Sequence, residues 1–309
     1  MAKYLITGGN GYLAQGLVNL LLHEGHSIRV IDKQFDQLDI PLKYARLVDQ
    51  QCFSLANKDK LLSAFKDVDI CFHLASPESD SLDYKMQSTA ILDGLHVFHS
   101  AIESNNIPVV FSSTDSVYGP NISSPLFESV NMMPTSSMGV HKLSLEHHAR
   151  VLAVTHGFNS TAMRLFNVYG MWRKDWESDV ISHFCRCALS GRDITVHGNG
   201  DQVRDFVHIS DVSRAFYLVS KNIKPRFSTY NVCTGQATSL NNLVEMISLL
   251  LGYKLNVRYE SKRLGDLYCA VGSNLKINKE YNFIPRINII NGLRSVLKEA
   301  GAITLQKVM

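Results

Sequence analysis

A chain of 309 residues is long enough for one large α/β unit or two domains that share a core. Its composition, 45% hydrophobic and 19% charged, is that of a water-soluble globular protein. The net charge is only +3, with Lys and Arg scattered, which argues against nucleic-acid and membrane partners and leaves small anions met by a few placed side chains.

Met1-Ala2-Lys3 runs directly into Tyr4-Leu5-Ile6-Thr7 without a leader pattern, and no apolar stretch is long enough to span a bilayer, so a cytoplasmic protein is expected. Short β-branched runs at 3–7, 27–31, 51–55, 69–74, 108–112 and 160–165 read as strands. Amphipathic stretches at 12–23, 58–65, 84–104 and 138–156 read as the helices between them. Parallel strands need crossover helices of this kind, so residues 1–165 are expected to form a Rossmann-like, doubly wound parallel sheet. Beyond residue 166 the rhythm shortens, with strands expected at 194–196, 206–208, 229–232 and 256–259 and helices at 180–189, 211–220 and 240–251. Residues 166–309 are read as a smaller C-terminal α/β substrate domain, with some chain crossing back. Cys52, Cys71, Cys185, Cys187, Cys233 and Cys269 show no C-x-x-C spacing and read as buried small hydrophobes, with no metal site expected.

Thr7-Gly8-Gly9-Asn10-Gly11-Tyr12-Leu13-Ala14 follows the first strand and opens the first helix. Gly8 permits a tight turn, Gly11 lets the backbone approach a pyrophosphate at the helix N-terminus, and Ala14 allows close helix–strand packing. Asp32 ends the second strand, where a carboxylate accepts from an adenosine ribose and repels a 2′-phosphate. NAD is therefore favoured over NADP, a preference softened by Lys33.

These motifs, together with Phe72-His73-Leu74-Ala75-Ser76, Phe111-Ser112-Ser113-Thr114-Asp115-Ser116-Val117-Tyr118-Gly119 and Lys142, resemble the extended short-chain dehydrogenase/reductases. More narrowly, the chain resembles the NAD-dependent nucleotide-sugar epimerase/dehydratase family. Arg164-Leu165-Phe166-Asn167-Val168-Tyr169-Gly170, Gly198-Asn199-Gly200 through Arg204-Asp205-Phe206, and Arg263-Leu264-Gly265-Asp266 extend the likeness. The resemblance implies an NAD site lined by Gly8, Asn10, Gly11, Tyr12, Leu13, Asp32, Lys33, Ser54, Leu55, Leu74, Ala75, Ser76, Ser112, Lys142 and Leu165. It implies a nucleotide-sugar substrate met by Thr114, Asn167, Arg204 and Arg263. Guanidinium forks suit its phosphates, with ordinary salt bridges as the alternative for both arginines.

Family members oxidise a sugar carbon, usually C4, to a transient ketone while a tyrosine takes the hydroxyl proton. Here Met138 stands in the tyrosine's place, four residues before Lys142, and a thioether has no ionisable proton. Thr114 matches the residue that grips the reacting oxygen, and Thr114-Asp115 resembles the pair by which sugar dehydratases protonate a departing hydroxyl. The catalytic set expected is Thr114, Asp115 and Lys142, with Met138 replacing the phenol. Ser54, Ala90 and His141 also depart from the family pattern. His141, adjacent to Lys142, is expected to point about 100° away from it, while His147 and His148 are read as solvated. The expected function is a nucleotide-sugar epimerase or dehydratase; a non-catalytic NAD and nucleotide-sugar binder and a ketosugar reductase are the alternatives. Helices 84–104 and 138–156 match the pair through which relatives form a homodimer by a four-helix bundle.

Overall fold

The computed structural model describes residues 1–36, 38–76, 84–120, 124–170, 179–262 and 269–308. The first half is built from β1 (Lys3–Thr7), α1 (Tyr12–His23), β2 (Ser27–Asp32), β3 (Val48–Cys52), α2 (Lys58–Ala64), β4 (Ile70–His73), α3 (Tyr84–Glu103), β5 (Val109–Thr114), α4 (Ser137–His156) and β6 (Ser160–Leu165). Then come β7 (Asn167–Tyr169), α5 (Val180–Leu189), β8 (Ile194–His197), β9 (Val203–Arg204), β10 (Phe206–His208), α6 (Ile209–Ser220) and β11 (Phe227–Val232). The chain ends with β12 (Thr238–Ser239), α7 (Leu240–Leu251), β13 (Val257–Glu260), β14 (Cys269–Ala270), α8 (Leu275–Tyr281) and α9 (Ile289–Val308).

Seven parallel strands form the main sheet in the order β11-β6-β5-β4-β1-β2-β3. The chain winds outward from β1 to β3, returns beside β1 as β4, and winds the other way. That reversal opens a crevice at the carboxyl ends of β1 and β4, where doubly wound sheets bind their ligands.

Alternation along the strands loads both faces of the sheet. Tyr4, Ile6, Val30 and Phe72 pack with Leu17, Leu21 and Phe216 beneath α1 and α6. Leu5, Ile31, Cys71 and Phe111 pack with Leu61, Phe98 and Leu152 beneath α2, α3 and α4. α1 offers its apolar residues at helical spacing, with Ala14, Leu17, Val18, Leu21 and Leu22 all buried. A separate cluster, including Phe184, Leu243, Ile247, Leu293 and Val296, forms the core of the smaller lobe.

Several expected elements are displaced. The third strand is Val48–Cys52 rather than 51–55, because it is a sheet edge and its polar residues face water. Leu55, read as its end, lies past it and is buried in the core. α6 and β11 lie in the second half of the chain, yet β11 pairs with β6 at the edge of the first sheet and α6 packs against that sheet beside α1. The close seating of α6 is set by Gly16, where a Cβ would stand 2.8 Å from Ile209 Cγ1 and Ser213 Oγ. Four cysteines are buried as expected, but Cys52 is exposed at the edge strand and Cys269 is half-buried. Among the described residues no helix is long and apolar enough to cross a membrane.

Candidate active site

The turn after β1 is shaped by glycine at the position that needs it. Gly8 has φ +74°, and a Cβ there would stand 2.5 Å from the Ala75 nitrogen, so only a hydrogen lets the turn sit against the end of β4. Gly11 donates its N–H to the Gly8 carbonyl at 3.1 Å and begins α1 without a capping side chain. The first N–H groups of that helix are thus directed at the crevice, an anion site of the kind a pyrophosphate fills.

Asp32 stands beside this turn at the end of β2. Its Oδ2 accepts from the Asn10 N–H at 3.0 Å and its Oδ1 from the Lys33 N–H at 2.7 Å. Asn10 and Asp36 clasp each other, with Asn10 Nδ2 donating to Asp36 Oδ1 at 2.6 Å and the Asp36 N–H returning to Asn10 Oδ1 at 3.1 Å. Tyr12 and Leu13 are half-buried in the first turn of α1, Ser54 is exposed, and Ala75 and Ser76 lie at the open end of β4. Leu55, Leu74 and Leu165 belong to the core around the crevice. An N–H-rich turn, a carboxylate at β2 and a cation at β5 together fit a dinucleotide.

That cation is Lys142. Ser136 caps α4, its hydroxyl accepting from the Gly139 N–H at 3.1 Å, and the second turn of the helix carries Lys142 into the interior. Lys142 is 6% exposed and donates to Ser112 Oγ at 3.0 Å. Burial pushes its ammonium down to about 8. Neighbouring His73 is held neutral, pushed down to about 3 by burial and then by the Lys142 charge. Its Nδ1 meets Thr7 Oγ1 at 2.7 Å, while its buried Nε2 has no partner among the described residues.

Met138 shares a small cavity with Lys142, Leu145, Ala75, Ser76, Ala90 and His141. His141 lines that cavity as well, although as Lys142's neighbour along the helix it points about 100° from it. It is 7% exposed, against exposed His147 and His148. The relevant spacing is from Met138, three residues earlier, which puts both side chains on one helix face.

Thr114 ends β5 and Asp115 begins a 3-10 turn, Asp115–Tyr118, that rests on the first turn of α4. A Cβ on Gly139 would stand 2.6 Å from the Ser116 carbonyl oxygen, so glycine permits that contact. Thr114 Oγ1 lies 3.2 Å from Asp115 Oδ1, to which it donates, and accepts from the Ser116 N–H at 3.2 Å. Although part of Asp115 reaches solvent, burial of its carboxyl pushes it up to about 6, against the opposing pull of the Thr114 hydrogen bond and the Arg204 charge. A carboxyl so poised exchanges protons near neutrality.

Arg204 and Asn167 lie on the adjoining strand pair. The Asn167 N–H donates to the Asp205 carbonyl at 3.0 Å, and Arg204 Nη1 to the Val203 carbonyl at 2.9 Å. Asp205 anchors the corner: its carboxylate accepts from the N–H and hydroxyl of Thr234 and from the N–H groups of Gly235 and Gly272. Arg263 lies outside the described residues. The structure thus brings Thr114, Asp115, Asn167 and Arg204 to one edge of the sheet, next to the crevice.

A buried network beneath this edge is absent from the sequence reading. Glu146, one turn beyond Lys142, accepts from two of the three Arg164 nitrogens, Nε at 3.0 Å and Nη2 at 2.7 Å, and from Ser113 Oγ at 2.6 Å. Arg164 Nη1 donates to the Tyr118 hydroxyl at 2.9 Å, and that hydroxyl to Asn231 Oδ1 at 2.6 Å. The signal was an arginine inside a strand with every residue buried, which demands a buried acid.

The model of the NAD dependent epimerase/dehydratase family matches residues 4–233. The UDP-glucose 4-epimerase of Corynebacterium glutamicum is 26% identical, the match covering 98% of this chain and 95% of that one. A solved UDP-N-acetylglucosamine 4-epimerase from Methanobrevibacter ruminantium, in complex with UDP-N-acetylmuramic acid, is 26% identical with a TM-score of 0.90 over 98% of this chain and 99% of that one. The UDP-glucose 4-epimerase of Thermus thermophilus, solved with NAD, is 25% identical with a TM-score of 0.86 over 96% and 98% of the two chains. The dinucleotide cradle, the strand order and a family match over well more than half of the chain agree: this protein belongs to the NAD-dependent epimerase/dehydratase family.

Proposed function

We propose that this chain is a nucleotide-sugar epimerase or dehydratase that transiently oxidises C4 of a nucleoside-diphosphate sugar. The observation that carries this reading is the Thr114–Asp115 pair, hydrogen-bonded at 3.2 Å beside the cofactor crevice with its carboxyl pushed up to about 6. NAD, when bound along Gly8, Gly11, Asp32 and Lys142, supplies reversible two-electron oxidation. Thr114 holds the reacting hydroxyl oxygen, and Lys142, whose ammonium exchanges protons near neutrality, passes on the hydroxyl proton. On the dehydratase branch Asp115 takes the C5 proton and protonates the departing C6 hydroxyl, a transfer that simple inversion at C4 does not need. Asn167 and Arg204 hold the diphosphate, with guanidinium geometry suited to its oxygens.

Proton NMR of the protein with NAD and a panel of nucleotide sugars tests the reading. Inversion at C4 or loss of water from one sugar is expected. No conversion of any of them, with NAD still bound, would replace it with the second reading, a non-catalytic binder, which the thioether of Met138 favours.

A homodimer through α3 and α4 belongs to the same reading. Phe98, Leu145 and Leu152 are used up in the internal core, but Leu92 on α3 and Val140, Val151 and Val154 on α4 stay at least half exposed. Light scattering at micromolar concentration is expected to give twice the chain mass; a monomer removes this part of the proposal.

A further inference from the structure

The last three residues of β5 each hold a different ionisable group. Ser112 Oγ accepts from Lys142 Nζ at 3.0 Å, Ser113 Oγ donates to Glu146 Oε1 at 2.6 Å, and Thr114 Oγ1 donates to Asp115 Oδ1 at 3.2 Å. Lys142 and Glu146 lie four residues apart on α4, so both leave one face of that helix. Arg164 stands in register with Ser113 on the neighbouring strand β6. Its Nε and Nη2 donate to Glu146, and its Nη1 donates to the Tyr118 hydroxyl. Tyr118 in turn ends the 3-10 turn that Asp115 begins. Directional bonds therefore run in a closed path from the Lys142 helix, through β5 and β6, to the Asp115 turn. Packing alone does not require ions at this place, since a hydrophobic set of the same volume commonly stabilises a core as well as a buried pair does. What the carboxylate and guanidinium add is a fixed register between the elements they join.

We propose that Ser113 and Glu146 are positioning residues, a clamp that fixes the Lys142 ammonium relative to the Thr114–Asp115 pair. The proposal rests on the function proposed above and assigns the two residues no contact with cofactor or sugar. Both are buried, Glu146 to 1% exposure and Ser113 to 3%, and both act through the helix and the strand end that carry the reacting groups. Without the tyrosine phenol, the hydroxyl proton is left to Lys142, so the seat of that one ammonium decides whether it reaches the sugar. A displacement of about 1 Å at a reacting group costs up to about 10²-fold in rate. The Ser113–Glu146 bond is where the helix that carries Lys142 is tied to the strand that carries Thr114.

One mild substitution and two readouts test this. Ser113→Ala removes the clamp's bond to β5 while Arg164 still pairs with Glu146, so no buried charge is stranded. In protein that urea titration shows to be folded under the assay conditions, kcat is expected to fall about 10-fold with the sugar-nucleotide KM within about twofold. A residue that only stabilises the fold would leave kcat of the folded enzyme unchanged. The second readout needs no turnover. NMR of protein labelled with ε-13C-lysine follows the Lys142 ammonium, which burial pushes down to about 8. In Ser113→Ala a loosened ammonium gains water, and its midpoint is expected to rise by about half a unit or more toward the ordinary lysine value. An unmoved midpoint overturns the clamp, and so does an unchanged kcat in an active parent; either leaves the enzyme reading standing. A parent that converts no nucleotide sugar sinks the enzyme reading instead, and the midpoint alone then decides whether the clamp holds the ammonium.

Discussion

Asp115→Asn is expected to lower turnover by about 10²- to 10⁴-fold while leaving NAD binding unchanged, the size of effect that loss of a positioned acid–base group produces. The carboxyl is pushed up to about 6, so the parent's activity should fall on the acid side as pH drops through that value, and the variant should lack this limb. The stability sign runs opposite to that of an ordinary paired carboxylate. A folded-state pKa above the unfolded one means that ionised Asp115 opposes folding above about 6, and that this penalty disappears below the usual carboxylate range. Asp115→Asn should therefore be at least as resistant to urea as the parent at neutral pH. A variant with parental kcat across the pH range removes Asp115 from the mechanism.

Glu146→Ala carries the largest expected effect on stability, a loss of about 3–5 kcal/mol, because it strands a buried guanidinium. The pair is 1% exposed on both sides, and Glu146 is the partner of two Arg164 nitrogens and of Ser113. Urea denaturation measures the loss. A change below about 1 kcal/mol would mean that the Tyr118 and Met132 contacts of Arg164 suffice to hold the charge. Glu146→Gln keeps the shape and one acceptor, so it should fall between the two.

The doubly wound sheet was legible because its code is local. β1, α1 and β6 lie where the sequence placed them, since strand alternation and helical spacing are read within a few residues. The cofactor turn was legible for the same reason: Gly8, Gly11 and Asp32 act through their own backbone and a strand end. Contacts between distant segments were not. The edge strand β3 was misplaced because Val48-Asp49-Gln50-Gln51-Cys52 has too little apolar content to announce itself, and only its pairing with β2 defines it. The burial of His141 was not legible, because Ala90 on another helix and the cavity they share decide its surroundings. Glu146, Arg164 and Asp205 act through partners tens of residues away, which spacing along the chain does not encode.

β11 and α6 also set an order of events during synthesis. Until Phe227–Val232 has left the ribosome, β6 is an open edge with six unpaired positions, and the α1 side of the sheet lacks one of its two helices. The nucleotide half is therefore not a free-standing unit that folds first and waits for its partner. Asp205, which follows β9, also binds the N–H groups of Thr234 and Gly272 at the carboxyl edge, so the sheet and the smaller lobe complete each other late in synthesis.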